Sequence, residues 1–227
     1  MRTLVRLVAI TLVPAACASP SPTASPTVTP TATPTATAIA PGGAQPWPAT
    51  FDVELHGTYA ANPPFRIPFE ITIVDPGWFS GHLHDTFIDL QRFDGITPHQ
   101  FPNRILGFAD PDHVRGDAGD VTVASLTPDA ALDLLAGRAS LATSNRAAAT
   151  LFAIDGARMD LHSATNSNPL FGNGADNFGL GPQPDVRLVL LPRDGRLFVV
   201  AVLAAPGDLD GAWEQALPIL GSMRLAT

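Results

Sequence analysis

The chain has 227 residues, 45% of them hydrophobic, with 13 arginines, no lysine, a formal net charge of −8 and one cysteine. That length and apolar content suit a globular domain with one good core, and allow one domain or two small ones. The negative balance repels phosphate backbones, which argues against a nucleic-acid partner, and a single cysteine excludes an intramolecular disulfide.

Residues 1–17 read MRTLVRLVAITLVPAAC: two arginines, an apolar run, two small residues and then Cys17. The pattern resembles a bacterial lipoprotein signal, cut before the cysteine that receives the lipid, although Pro14 stands where a leucine-like residue is usual. Two alternatives stay open: a secretory leader cut after Ala18, since Ala16-Cys17-Ala18 also fits a small-x-small site, or a short membrane anchor. The apolar run is too short to span a bilayer. Lipidation at Cys17 implies an extracytoplasmic protein whose membrane partner is reached through that lipid. Residues 18–46 follow as a Pro/Thr/Ser-rich stretch with too few bulky apolar groups to offset its ordering entropy. Held extended by proline at about 3.1 Å per residue, such a tether reaches up to roughly 90 Å.

The folded part is expected over 47–227 as one α+β domain. Phe51–His56 and Pro68–Val74 alternate apolar and polar residues as half-buried strands do, and Pro63-Pro64 breaks the chain between them. His82–Phe93, Ile105–Ala109 and Val121–Ala124 read as further strands. A helix is predicted over Thr127–Arg138, with Thr127 as cap, Pro128 in the first turn, Leu132 and Leu135 on the apolar face and Gly137 near its end. Leu141–Asn145, Ala149–Asp155 and Arg158–His162 are strand-like, with a hairpin signal at Asp155-Gly156. Asn166–Pro184 reads as a long Asn/Gly/Pro loop. Val186–Leu191 and Leu197–Ala204 are apolar on both alternating faces, which places them at the centre of a sheet covered on both sides. Asp194-Gly195 supplies their tight turn. A final helix carries Leu209, Trp213, Ala216, Leu217 and Leu220 on one stripe, with Asp208 to cap it and Pro218 to bend it near its end. Trp78 and Trp213 are expected in the core, and Trp47 where the chain enters the domain.

FEITIVDPGW, DGARMDL and RDGRLFVVAVLAAPGDLDGAWEQALPILGSMRL together resemble secreted lipoprotein domains of Mog1/PsbP-like architecture. The matching positions are Pro76-Gly77-Trp78, Asp194-Gly195 and Ser222-Met223-Arg224-Leu225. The resemblance implies an antiparallel sheet flanked by helices, and binding or assembly in place of catalysis. It carries no site residue with it.

Two stretches hold candidate chemistry. His82 and His84, two apart on a strand, project to one face and offer two ligands to a metal ion, with Asp110, Asp112 and His113 further along. The plainer reading is a wet strand face. The Asn166–Pro184 loop carries Leu170, Phe171, Phe178 and Leu180, either folded onto the sheet as a structural lid or lining a recognition surface. A weaker reading has Asn166, Asn168, Asn173 and Asp176 holding calcium. Ser80 lacks the strand–turn–helix setting of a hydrolase nucleophile. No cofactor is called for. The leading expectation is a lipid-anchored, non-catalytic domain that binds an envelope protein or a small apolar ligand. The alternatives are a metal-dependent envelope enzyme using His82 and His84, or a purely structural envelope protein.

Overall fold

The computed structural model describes residues 43–61, 65–93, 102–165, 167–173, 176–181 and 185–226, all within the compact unit Ile39–Thr227. The leader with Cys17, the tether up to residue 42, and Asn166 lie outside the described residues. In chain order the elements are β1 (Gln45–Pro46), β2 (Gly57–Ala61), β3 (Phe69–Ile73), β4 (Trp78–Leu83), β5 (Phe87–Arg92), β6 (Arg104–Ala109), β7 (His113–Gly116), β8 (Gly119–Thr122), α1 (Pro128–Ala136), β9 (Leu141–Leu151), β10 (Ile154–Ser163), β11 (Asn168–Asn173), β12 (Asp176–Leu180), β13 (Asp185–Arg193), β14 (Arg196–Ala204), α2 (Leu209–Ser222) and β15 (Arg224–Leu225). A short 3₁₀ turn, Val123–Ser125, links β8 to α1.

Strand β14 is the middle of a seven-stranded antiparallel sheet ordered β4-β5-β6-β14-β13-β10-β9. Its side chains alternate between two separate cores. Phe198, Val200, Val202 and Ala204 enter one, while Leu197, Val199, Ala201 and Leu203 enter the other. This is why the strand reads as apolar on both faces: each face has its own cover, and each fully buried large side chain contributes about 1.5–3 kcal/mol. The first core is closed by Ala212, Ala216, Ile219 and Leu220 of α2 and by a four-stranded sheet, β1-β2-β3-β15. The second is closed by Ala131, Leu132 and Leu135 of α1 and by a four-stranded sheet, β12-β11-β7-β8. The expected antiparallel sheet is present. Its cover differs from the expectation, because each face carries one helix and a small sheet, so strands outweigh helices in the flanking layers.

The central hairpin turns at Asp194 (φ 50°) and Gly195 (φ 74°), with Arg193 paired to Arg196. α1 is capped by the Thr127 hydroxyl, which accepts from the Ala130 N–H at 3.2 Å. Other expectations need correction. The three pieces predicted over 141–162 are two long strands that turn at Phe152 (φ 57°) and Ala153 (φ 59°), not at Asp155-Gly156. Gly156 lies inside β10, where a Cβ would sit 2.1 Å from the Leu190 carbonyl oxygen, so close backbone approach requires glycine there. Phe51–His56 is no regular strand. Asp52 (φ 58°) bends it, and residues 52–55 lie along the open edge of β4 through Asp52 N–H to Ser80 O and Leu55 N–H to Trp78 O, both at 2.8 Å. His82–Phe93 is divided between β4 and β5, with the turn at His84–Thr86 and a register shift between Ser80 and Leu83. Within the expected Asn166–Pro184 loop, Asn168–Asn173 and Asp176–Leu180 pair antiparallel as β11 and β12, hidden in the sequence by Asn and Gly, which have poor strand propensity.

Two expectations for α2 also change. The buried stripe is Ala212, Ala216, Ile219 and Leu220, while Leu217 is 43% exposed, because the helix turns its short alanines toward the sheet. The Asp208 side chain makes no cap; its carboxylate meets the Arg104 guanidinium at 2.7 Å instead. Gln45–Pro46, expected within the tether, instead pairs in parallel with β2. Trp47 is buried edge-on against Tyr59 and Phe69, and Trp78 is buried, whereas Trp213 is half-buried beneath the Arg187 guanidinium. Among the described residues no helix is long and apolar enough to cross a membrane.

Candidate functional site

The register shift in β4 falls at Gly81-His82, beside Asp89 of β5. Asp89 is 2% exposed, and its carboxylate reaches back over β4. It accepts the His82 backbone N–H, stands 3.3 Å from His82 Nδ1, and accepts from Gln91 Nε2 at 3.5 Å. Gly81 makes room for it: a Cβ there would fall 1.9 Å from Asp89 Oδ1. The hydrogen bond His82 Nδ1 makes to the Asp89 carboxylate raises the His82 pKa above its ordinary value, against the opposing effect of burial, and the carboxylate's charge adds to it. The His84 ring lies 6.0 Å from the His82 ring and nearly parallel to it. Both imidazoles border the same cavity, but His84 belongs to the turn after β4 and the register is shifted at His82, so regular strand alternation is not what brings them together.

Beyond them the sheet surface is apolar. Gly107 in β6 leaves space for aromatic rings, and a Cβ there would come within 3.1 Å of Phe87 and 3.5 Å of Phe178. The Phe87 and Phe178 rings are 4.7 Å apart, and Phe178 stacks on Phe171, its register partner in the β11–β12 hairpin, at 6.1 Å. Phe171 is fully buried and Phe178 nearly so, as is Leu170. The hairpin is thus folded onto the sheet, and its two phenylalanines also form the wall of a cavity.

That cavity has a volume of about 240 Å³ and is bordered by both candidate stretches, His82 and His84 on one side and Phe171 and Phe178 on the other. Ile105, Ala109 and Leu203 supply apolar surface, and Thr86, Asn173 and Asn177 supply polar groups. Thr86 is 1% exposed, and its hydroxyl has no hydrogen-bond partner among the described residues. Leu170 does not border this cavity. Thr86, Phe87, Asp89 and Asn177 were not singled out from the sequence, and Asn173 only as a calcium ligand. The spacing of Asp89 seven residues after His82 was available, but only the bulge brings the two together.

The carboxylates that sequence reasoning offered to a metal are held by arginines. Asp112 meets Arg66 and Arg196, each at 2.8 Å, and Asp110 meets Arg196 at 2.6 Å. Among the described residues no group of three or more His, Cys, Asp or Glu side chains converges to hold a metal ion. Of the asparagines of the calcium reading, Asn168 and Asn173 are used elsewhere. The Asn168 amide is buried against Ser140 and Ser163, and Asn173 Oδ1 accepts the Asp112 N–H. Ser80 is buried and structural, donating to Thr50 O at 2.7 Å and accepting from Val53 N–H at 3.1 Å. A wider cleft of about 420 Å³ lies over β9, β10 and β13, and its charged groups satisfy one another: Arg187 with Asp160 and Asp210 at 2.8 Å, and His162 with Asp185 at 2.5 Å.

No protein-family model matches this chain, and no curated protein matches it. Among solved structures it is similar to the solution structure of cyanobacterial PsbP (CyanoP) from Synechocystis sp. PCC 6803, at a TM-score of 0.39 and 9% identity, covering 70% of this chain and 86% of that one.

Proposed function

We propose that the domain is a non-catalytic binding module for a small ligand with an apolar, ring-sized body, carried outside the cytoplasm on a lipid at Cys17 and the Pro/Thr tether. One observation supports the binding reading: the His82/His84 hairpin and the Phe171/Phe178 hairpin border one cavity, apolar inside with a few polar groups around it. An engineered cavity of roughly 150 Å³ accepts benzene. A volume of about 240 Å³ therefore suits a single ring with a short substituent.

The test is a titration of the full-length Cys17→Ser protein with benzyl alcohol, followed through backbone amide resonances. Saturable shifts confined to Phe87, Ala109, Gly172 and Gly179, with a rise in melting temperature, are the expected result. Shifts that do not saturate, or that spread over the surface, would overturn the binding reading. The anchoring part has its own test. The native chain should partition into the detergent phase, and Cys17→Ser should be released from the membrane or left unprocessed. Normal cleavage with unchanged membrane retention in that variant would remove the lipid from the proposal.

A further inference from the structure

The hydrogen-bonding groups around the cavity are unevenly spent. Asn173 Oδ1 accepts the Asp112 backbone N–H at 2.5 Å, and Asn177 Oδ1 accepts the Arg115 Nε–H at 3.1 Å. Both partners can only donate, so the orientation of each amide is determined and each leaves its Nδ2 group over. Neither Nδ2 has an acceptor among the described residues. The cavity's own carboxylate, Asp89, is occupied by the His82 backbone N–H, His82 Nδ1 and Gln91 Nε2. With Nδ1 turned to Asp89, the protonated His82 ring presents Nε2–H away from it. The Thr86 hydroxyl, buried and without a partner among the described residues, can also donate. The oxygens of Asp89, Asn173 and Asn177 are used internally, while their neighbouring donors remain for a ligand, together with the Thr86 hydroxyl, which can donate or accept.

Resting on the binding reading above, we propose that the ligand is a small arylalkyl carboxylate, its ring against Phe87, Phe171 and Phe178 and its carboxylate at the Nδ2 groups of Asn173 and Asn177 and at His82. A carboxylate offers two strong acceptor oxygens and no donor, which complements these groups through charge-assisted hydrogen bonds. An alcohol of the same shape would satisfy one donor and leave others unmet. An ammonium would face the donors of Asn173, Asn177 and His82, with the Thr86 hydroxyl as the unspent side-chain acceptor among these groups. Arg115 adds positive potential from behind the wall, its guanidinium packed so closely on Gly172 that a Cβ there would lie 2.4 Å from Nη2, although Asp120 pairs with it. The titratable groups facing His82 are Asp89 from β5 and His84 from its own hairpin; Phe51 and Phe87 pack on it without charge. The Asp89 hydrogen bond that raises the His82 pKa favours the charged imidazole on that side of the cavity.

The experiment titrates the full-length Cys17→Ser protein with phenylacetate, 2-phenylethanol and 2-phenylethylamine, three probes of one shape and different charge, at pH 6.0 and pH 8.5. Phenylacetate is expected to bind at least tenfold more tightly than the alcohol at pH 6.0, and this preference should shrink several-fold at pH 8.5 as His82 loses its proton. Asn177→Asp, which replaces a donor by a charged acceptor without changing shape, should reverse the order of phenylacetate and phenylethylamine, with an unchanged amide spectrum elsewhere showing that the variant is folded. Equal affinity for acid and alcohol, or preference for the amine in the native protein, would overturn the carboxylate and leave the cavity as a binding site. Saturable binding of none of the three would overturn both readings.

Discussion

His82 acquires its properties from Asp89, a residue seven positions away that a one-residue bulge brings under its backbone and ring. Because the folded-state pKa of His82 is raised above the ordinary 6.5, its contribution to stability is complete below that value and is lost as pH rises through the folded value. The side chain is 47% exposed, so solvent screening holds the effect below about 1 kcal/mol. Denaturant unfolding of the native protein and His82→Gln between pH 5.5 and 8.5 should show the native curve falling more steeply with rising pH; parallel curves would refute the pairing. Gly81→Ala bears on the same contact from the other side. Its Cβ would collide with Asp89 Oδ1, so the carboxylate must leave, and the variant should lose both stability and the His82-dependent slope.

Helix α2 shows how an element's apolar residues need not be its buried ones. Ile219 is 3% exposed and faces the first core, while Leu217 is 43% exposed. Ile219→Ala should cost about 2–5 kcal/mol in chemical denaturation, through lost transfer energy and the cavity left behind. Leu217→Ala should cost well under 1 kcal/mol, since no cavity forms. Similar losses at the two positions would mean that the helix is rotated from the orientation described. The β9–β10 hairpin offers a change of opposite sign. Ala153 is exposed and held at φ 59°, a left-handed conformation that costs an L-residue about 1–2 kcal/mol and glycine little. Ala153→Gly should therefore raise stability by about 1 kcal/mol, whereas Phe152, which packs against Phe198, should not tolerate the same replacement.

Across the whole molecule, Arg187 ties the central sheet to α2. It meets Asp160 on β10 with both Nε and Nη2 at 2.8 Å, Asp210 on α2 at 2.8 Å, and lies over the Trp213 ring. Burial pushes the Asp160 carboxyl upward, but hydrogen bonds from Arg187 and Asn145 outweigh it and hold the carboxyl below its ordinary value. Arg66 and Arg196 likewise depress Asp112, against a smaller effect of burial. For a depressed carboxyl the stabilisation is present above the ordinary value of 3.8 and is lost as pH falls through the folded value. Native stability should therefore drop on acidification below about pH 4. Arg187→Met leaves Asp160 buried without its counterion, at a cost of about 3–5 kcal/mol near pH 7. Its deficit relative to the native protein should narrow on acidification, as the uncompensated carboxyl takes up a proton. A deficit that stays constant from pH 7 to pH 4 would mean that the pair contributes packing alone.

What the sequence determined by itself was local. Leu188–Leu191 and Leu197–Ala204 are apolar at every position, and Asp194-Gly195 accepts positive φ, so a buried two-faced hairpin was legible without any partner in view. The same holds for α1, whose cap, first-turn proline and paired leucines all lie within one short segment. Tertiary structure decided the rest, because alternation says which faces are apolar and not what covers them. Gly156 and Asp155-Gly156 had the composition of a turn, yet Gly156 serves a close strand approach, which depends on Leu190 from another strand. Leu217 belonged to an apolar stripe whose rotation was set by what the sheet could receive. Most of all, the cavity joins residues near 82–89, 105–111, 171–179 and 203, four segments distant in sequence. His82, His84, Phe171 and Phe178 could be picked out by residue type, but Asp89, Thr86, Asn173 and Asn177 join them only after a bulge and two hairpins have set the register. A bulge inserts one residue without any mark in composition, so its effect on which side chains meet is read only from the folded chain.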